Sequence, residues 1–262
     1  MKRNFSDLFE GIDDVLALVR SGNAALIDGF FKDDCSFDWY EQYLLNEPGM
    51  ESAREIFVKK GCSFDESIAP YQVFRKTASE ELLAIYDRKV GLSEKEWAAL
   101  EFDPEAILDE DYKLLEKIAA GEFEFEYTVE DLFWKIAADE DLQDVLFETK
   151  NMALIAGFFK CGCVPHWSRE EYLNKEPMLS ARDIFIKKGN KFDENEDSYV
   201  TFLKTAPEEL LDIYTGRARV SEEELAALEF DPASISAEDL ALLKSIVEGT
   251  YEASNVSEEN AE

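Results

Sequence analysis

The sequence predicts an all-α chain, a helical-pair solenoid built from two tandem homologous halves, residues 1–127 and 128–262, the second ending in a short acidic tail. Three observations carry this reading. Displacing the chain by 128 residues lays 23–125 over 151–253 without a gap, and about half of the positions are identical. Inside each half, short apolar runs with helical spacing recur at intervals of roughly 27 to 36 residues, the signature of stacked helix pairs. Cap residues and glycines bracket those runs, as they do at helix ends.

The first half opens on Val15-Leu16-Ala17-Leu18-Val19, followed after Gly22 by Ala25-Leu26-Ile27 and Phe30-Phe31. Apolar residues at i, i+3 and i+4 mark one helix face. Tyr43-Leu44-Leu45 precedes the segment from Ala53 to Gly61. Later pairs end in Leu82-Leu83-Ala84-Ile85-Tyr86 and in Leu114-Leu115 up to Gly121. Each half thus reads as four helix pairs, each burying its faces against its neighbours. Ser93-x-x-Glu96, Ser221-x-x-Glu224, Thr77-x-x-Glu80 and Thr205-x-x-Glu208 have the spacing of capping boxes, in which hydroxyl and carboxylate each accept an orphan N–H. Asp103-Pro104 and Asp231-Pro232 set a cap before a proline suited to the first helical position. Gly61, Gly121, Gly189 and Gly249 stand where helices end in the left-handed conformation. Phe123-Glu124-Phe125-Glu126-Tyr127 alternates but is short, and reads as a connector. Upstream the match is looser: Asp7-Leu8-Phe9 resembles Asp131-Leu132-Phe133, with four extra residues in the second half.

Leu18 through Ile27, with Gly22 at its centre, resembles the first helix, glycine turn and second-helix start of an ankyrin unit. Ala53-Arg54-Glu55-Ile56-Phe57-Val58-Lys59-Lys60-Gly61-Cys62-Ser63-Phe64-Asp65 resembles the second helix and its exit, and 181–193 repeats that pattern. The family's Thr-Pro-Leu-His signature is absent. The resemblance implies a stack of helix pairs whose members bind other proteins through a concave face and inter-repeat loops, without a shared catalytic residue.

Composition narrows the function. With 27 Lys and Arg against 59 Asp and Glu, the formal net charge is -32. No direct binding to nucleic acid is expected, because affinity there comes from basic residues displacing counterions, and anionic membranes are disfavoured for the same reason. The apolar content is that of a chain with a core. Neither a leader nor a spanning segment is visible, so a cytoplasmic monomer with Cys35, Cys62, Cys161 and Cys163 reduced is expected.

Motifs for chemistry are weak. Cys161-Gly162-Cys163 with His166 lacks both the spacing and the fourth ligand of a zinc site. As a Cys–His nucleophile it would need a thiolate that acidic surroundings oppose. Asp193-Glu194-Asn195-Glu196-Asp197 resembles half of a calcium loop, but Ser198 replaces the turn glycine and Lys204 the bidentate glutamate. A Ser-His-Asp triad would have to use His166. No phosphate or dinucleotide loop occurs. The expectation is therefore no enzyme, cofactor or metal, but a scaffold that binds a partner protein, one with a basic surface being the best match to the charge. The candidate contacts are the turn aromatics Trp39, Tyr40, Tyr43, Trp167 and Tyr172. The alternative is an acidic inhibitor, of the immunity, anti-defence or nucleic-acid-mimic kind, directed at a basic or nucleic-acid-binding protein.

Overall fold

The structure, a computed structural model, describes residues 4–9, 12–66 and 68–251; the expected acidic tail lies outside the described residues. Regular structure among them is helical throughout, with no strand. No described helix is long and apolar enough to cross a membrane. The chain divides into two compact units, 1–127 and 128–262.

The first unit begins with a 3-10 helix, Phe5–Asp7, then α1 (Ile12–Arg20), α2 (Ala24–Lys32), a 3-10 helix Gln42–Asn46 and α3 (Glu51–Lys59). It continues with α4 (Ala69–Thr77), α5 (Glu80–Tyr86), α6 (Glu94–Ala99), a 3-10 helix Pro104–Ala106 and α7 (Asp109–Ala119). Helices α2, α3 and α5 pack in sequence, while Gln42–Asn46 packs against α3 and α4. Phenyl rings fill the space between them. Phe30 and Phe31 pack edge to face at 5.2 Å, and Phe31 reaches Phe57 at 6.0 Å. Phe64 stacks on Phe74 at 4.5 Å. Each such buried ring contributes roughly 1.5–3 kcal/mol.

The second unit contains α8 (Val129–Ala138), α9 (Glu140–Glu148), α10 (Met152–Cys161), a 3-10 helix Trp167–Asn174 and α11 (Leu179–Lys187). It ends with α12 (Asp197–Thr205), α13 (Glu208–Tyr214), α14 (Glu222–Ala227), a 3-10 helix Pro232–Ser234 and α15 (Ala237–Val247). Bonds recur here 128 residues on. Asn46 Nδ2 donates to the Pro70 carbonyl at 3.0 Å and Asn174 Nδ2 to that of Ser198 at 2.8 Å. Arg54 and Arg182 each reach the side chains of that asparagine and of the threonine ending the next helix.

Three expectations change. First, the fourth pair does not extend the stack. The principal partners of α7 are α1 and α2, and those of α15 are α8, α9 and α10. Asn23 Nδ2 donates to Asp111 at 2.6 Å, and Asn151 to Asp239 at 2.6 Å. The apolar face of α7, with Leu115 and Ile118 buried, covers the open side of the first pair. Second, Thr77 and Thr205 are not caps. Each ends a helix and donates its hydroxyl back to the carbonyl four residues earlier, at 2.9 Å. Ser79 caps α5, Pro207 precedes α13, and a capping box not picked out from sequence forms at Thr128 and Asp131. The boxes at Ser93 and Ser221 form as expected, and Gly61, Gly121, Gly189 and Gly249 have φ of 85°, 67°, 90° and 65°. Third, the Asp7–Phe9 match with Asp131–Phe133 is not the spatial one. Phe5 packs on Phe30 and Phe102 at 6.0 and 5.7 Å, and Phe133 on Phe158 and Phe230 at 6.3 and 5.6 Å. Packing thus keeps the 128-residue register, without four extra residues.

Candidate functional site: a cavity and its counterpart

The turn after α2 leads into the 3-10 helix Gln42–Asn46, and here the expected aromatics separate. Trp39 and Tyr40 are half-buried and meet edge to face at 5.5 Å. Tyr43 packs against the core. In the second unit Trp167 is 51% exposed beside His166, while Tyr172 lies half-buried against Phe147 at 5.5 Å with the Lys175 ammonium 5.2 Å from its ring. Three of the five thus lie in the first unit and two in the second. Sequence reasoning missed several exposed apolar side chains, among them Trp97 on α6 and Leu225 on α14, 51% and 46% exposed.

It also missed a cavity. A space of about 310 Å³ in the first unit is lined by Phe5, Phe9, Ile12, Val15 and Phe30, with Cys35, Asp38, Tyr40 and Glu41 on its polar side. Its walls are fixed by ordinary backbone demands. Asp33, at the end of α2, accepts the Phe5 N–H at 2.7 Å and so pins the N-terminal 3-10 helix over α2. The Asp38 N–H donates to Glu41 Oε2 at 2.8 Å while the Glu41 N–H donates to the Asp38 carbonyl at 2.9 Å, closing a reciprocal turn. Tyr40 donates its hydroxyl to Asp38 Oδ2 at 2.9 Å.

Glu41 is 4% exposed. Burial, reinforced by the Asp38 charge and opposed by the backbone hydrogen bond, pushes its carboxyl up to about 7. Burial likewise pushes the Cys35 thiol to about 12, so it stays protonated. No described cation pairs with Glu41.

The same positions in the second unit hold a different set: Trp134, Ala137, Glu140, Gln143, His166, Ser168 and Arg169. Arg169 pairs with Asp144 at 2.7 Å and Glu140 at 3.4 Å. Gln143, buried, donates to the Ala137 carbonyl at 2.9 Å and accepts the His166 N–H at 2.9 Å. His166 Nδ1 meets Ser168 Oγ at 2.8 Å, and Ser168 donates to Glu140 at 3.1 Å. Serine and carboxylate therefore approach the same ring nitrogen, whereas a triad needs them on opposite ones.

One position further, Gln42 Oε1 accepts the Asp65 N–H at 2.8 Å, and Glu170 accepts that of Asp193 at 3.0 Å and the Ser198 hydroxyl at 3.2 Å. Burial pushes the Glu170 carboxyl up to about 7 as well. The Asp193–Asp197 segment closes on itself, Asn195 donating twice to Asp193 Oδ1. All four cysteines are free, and Cys163 is fully buried with its thiol raised by desolvation and by Cys161. Among the described residues no three His, Cys, Asp or Glu side chains converge as metal ligands would. Comparison with protein families, with curated proteins and with solved structures returns no match to this chain.

Proposed function

We propose that the chain is a non-catalytic protein-binding scaffold, its units tandem copies of an ankyrin-like helical-pair unit, acting as a cytoplasmic monomer. It engages a partner protein through the inter-repeat turns and the short helices that follow the third pair. The observation that carries this reading is the matched exposure of Trp97 and Leu225, 128 residues apart, on helices that bury none of their residues. A helix with no buried face gains little from its own unit. Large apolar side chains left at its surface are the usual anchors of an interface. Trp167 adds a third exposed anchor.

Acidic residues flank the anchors: Glu94 and Glu96 beside Trp97, and Glu222, Glu223 and Glu224 beside Leu225. They favour a partner whose apolar pocket has a basic rim, with the charge acting mainly on association rate. The test is capture of the partner by the full chain at low and high salt, compared with a Trp97→Ala/Leu225→Ala double variant. The expected result is retention at high salt and at least a tenfold loss of affinity in the variant, without a change in thermal stability. Undiminished capture by the variant overturns the reading. A nucleic-acid-binding partner released by salt would replace it with the acidic-inhibitor alternative.

A further inference from the structure

The cavity in the first unit includes none of the anchors Trp97, Leu225 and Trp167, and it has the features of a ligand site in its own right. We propose that it binds a small organic ammonium ion with an apolar body, the ammonium received by Glu41 and Asp38 and the body packed among Phe5, Phe9 and Phe30.

Four observations support this. The volume, about 310 Å³, lies at the lower end of the roughly 300–1,000 Å³ typical of small-molecule sites. Apart from Ser6, the wall is apolar on the side formed by the N-terminal segment, α1 and α2, and it is polar on the side formed by the turn at 35–41, which favours an amphipathic occupant. The charged groups that line it are both carboxyls, and the nearby Tyr40 hydroxyl is already committed to Asp38. The site therefore offers acceptors and asks for a donor. Finally, Glu41 is a buried acid with no described cation beside it, a costly arrangement unless the group is neutral or gains a partner.

The second unit indicates what is missing. There the carboxylates Glu140 and Asp144 are met by the Arg169 guanidinium, which stands at the position of Glu41. In the first unit Asp38 and Glu41 stand where His166 and Arg169 do, and no cation among the described residues meets Glu41. Asp38 is exposed and Glu41 buried, so the charge can enter along a gradient of acceptors.

The pH dependence follows from the groups present. Asp38 and Tyr40 face Glu41 from its own turn, and Cys35 stays a thiol. The walls contributed by the N-terminal segment, α1 and α2 carry no titratable side chain. With Glu41 titrating near 7, an ammonium ion displaces its proton, and binding strengthens as pH rises from 6 to 8.

The experiment titrates the full chain with 2-phenylethylamine by calorimetry, with 2-phenylethanol and phenylacetate as the uncharged and anionic counterparts. Expected are one site per chain for the amine, at least tenfold weaker binding of the alcohol, and none of the acid. Glu41→Gln is expected to weaken the amine at least tenfold and to remove the pH dependence. Ile12→Trp, at a half-buried wall position, is expected to block the site while leaving Glu41 in place, and it decides the matter should the first variant fold poorly. Absence of amine binding, equal binding of amine and alcohol, or binding that survives both substitutions would overturn the proposal.

Discussion

Ile12, Val15, Asp38, Tyr40 and Glu41 occupy the places in the first unit that Glu140, Gln143, His166, Ser168 and Arg169 occupy in the second. Three of the rings around them correspond, Phe5, Phe30 and Phe102 answering to Phe133, Phe158 and Phe230, while Ala137 stands where the first unit has Phe9. One frame therefore carries two interiors. In the second unit acids, base and amide satisfy one another. In the first an acid faces an apolar space. The frame tolerates both because its stability comes from ring packing and α7 or α15 docking, not from the polar set.

The largest effect that would sharpen this contrast concerns the residue preceding each interior. Trp134 is fully buried, whereas its counterpart Ser6 borders the cavity. Trp134→Ala is expected to destabilise the second unit by about 3–5 kcal/mol, and Ser6→Ala to change the first by less than about 0.5 kcal/mol. Urea unfolding followed by hydrogen exchange reports each unit separately; equal losses would break the contrast.

Next in size is a pH effect. Glu41 and Glu170 titrate near 7, above the ordinary 4.5. The folded chain thus keeps protons that the unfolded chain has released, and stability falls as pH rises from about 4.5 through 7, by at most about 3 kcal/mol per group. Glu41→Gln and Glu170→Gln should each flatten this slope and raise stability at pH 8 by about 1–2 kcal/mol, the gain fading toward pH 5. The glutamine amide can still accept the Asp38 or Asp193 N–H, as Gln42 already accepts that of Asp65. Thermal unfolding across pH 5 to 8 measures it. An unchanged slope would mean that these carboxyls are solvated.

The smallest effect probes the common frame. A Cβ at Gly157 would lie 2.9 Å from Phe133 Cζ, and one at Gly29 3.1 Å from Phe5 Cε2. Alanine gains about 1 kcal/mol of helix propensity over glycine, but crowding a buried ring costs about 1–3 kcal/mol. Gly157→Ala is expected to destabilise by about 1–2 kcal/mol and Gly29→Ala by less, as equilibrium unfolding would show. The reverse order would mean that the Phe133 ring yields more readily than Phe5.

Much of the local structure was legible beforehand, because it depends on near neighbours. The apolar runs, the Ser93 and Ser221 boxes and the left-handed glycines are all settled within a turn or two of chain. Thr77 and Thr205 misled because a threonine at a helix end can bond back to its own helix as readily as it can cap the next. Of the site residues, Trp167 stood out in the sequence and is exposed. Trp97 and Leu225 were passed over because a short, well-capped helix gives no local sign of which face will be covered. The cavity left no signal at all. Its walls come from residues 5–9, 12–15, 30 and 35–41, and a glutamate reads as surface until other segments enclose it.

By itself the sequence determined an acidic, all-helical chain with a 128-residue internal periodicity and short capped helices, since charge, apolar spacing and caps are properties of adjacent residues. The tertiary structure alone decided that α7 and α15 fold back onto the first pair of their unit, and that one interior is paired while the other is open. Those outcomes depend on which surfaces distant in the chain bury one another, and burial is what turns an ordinary carboxyl into one that titrates near neutrality.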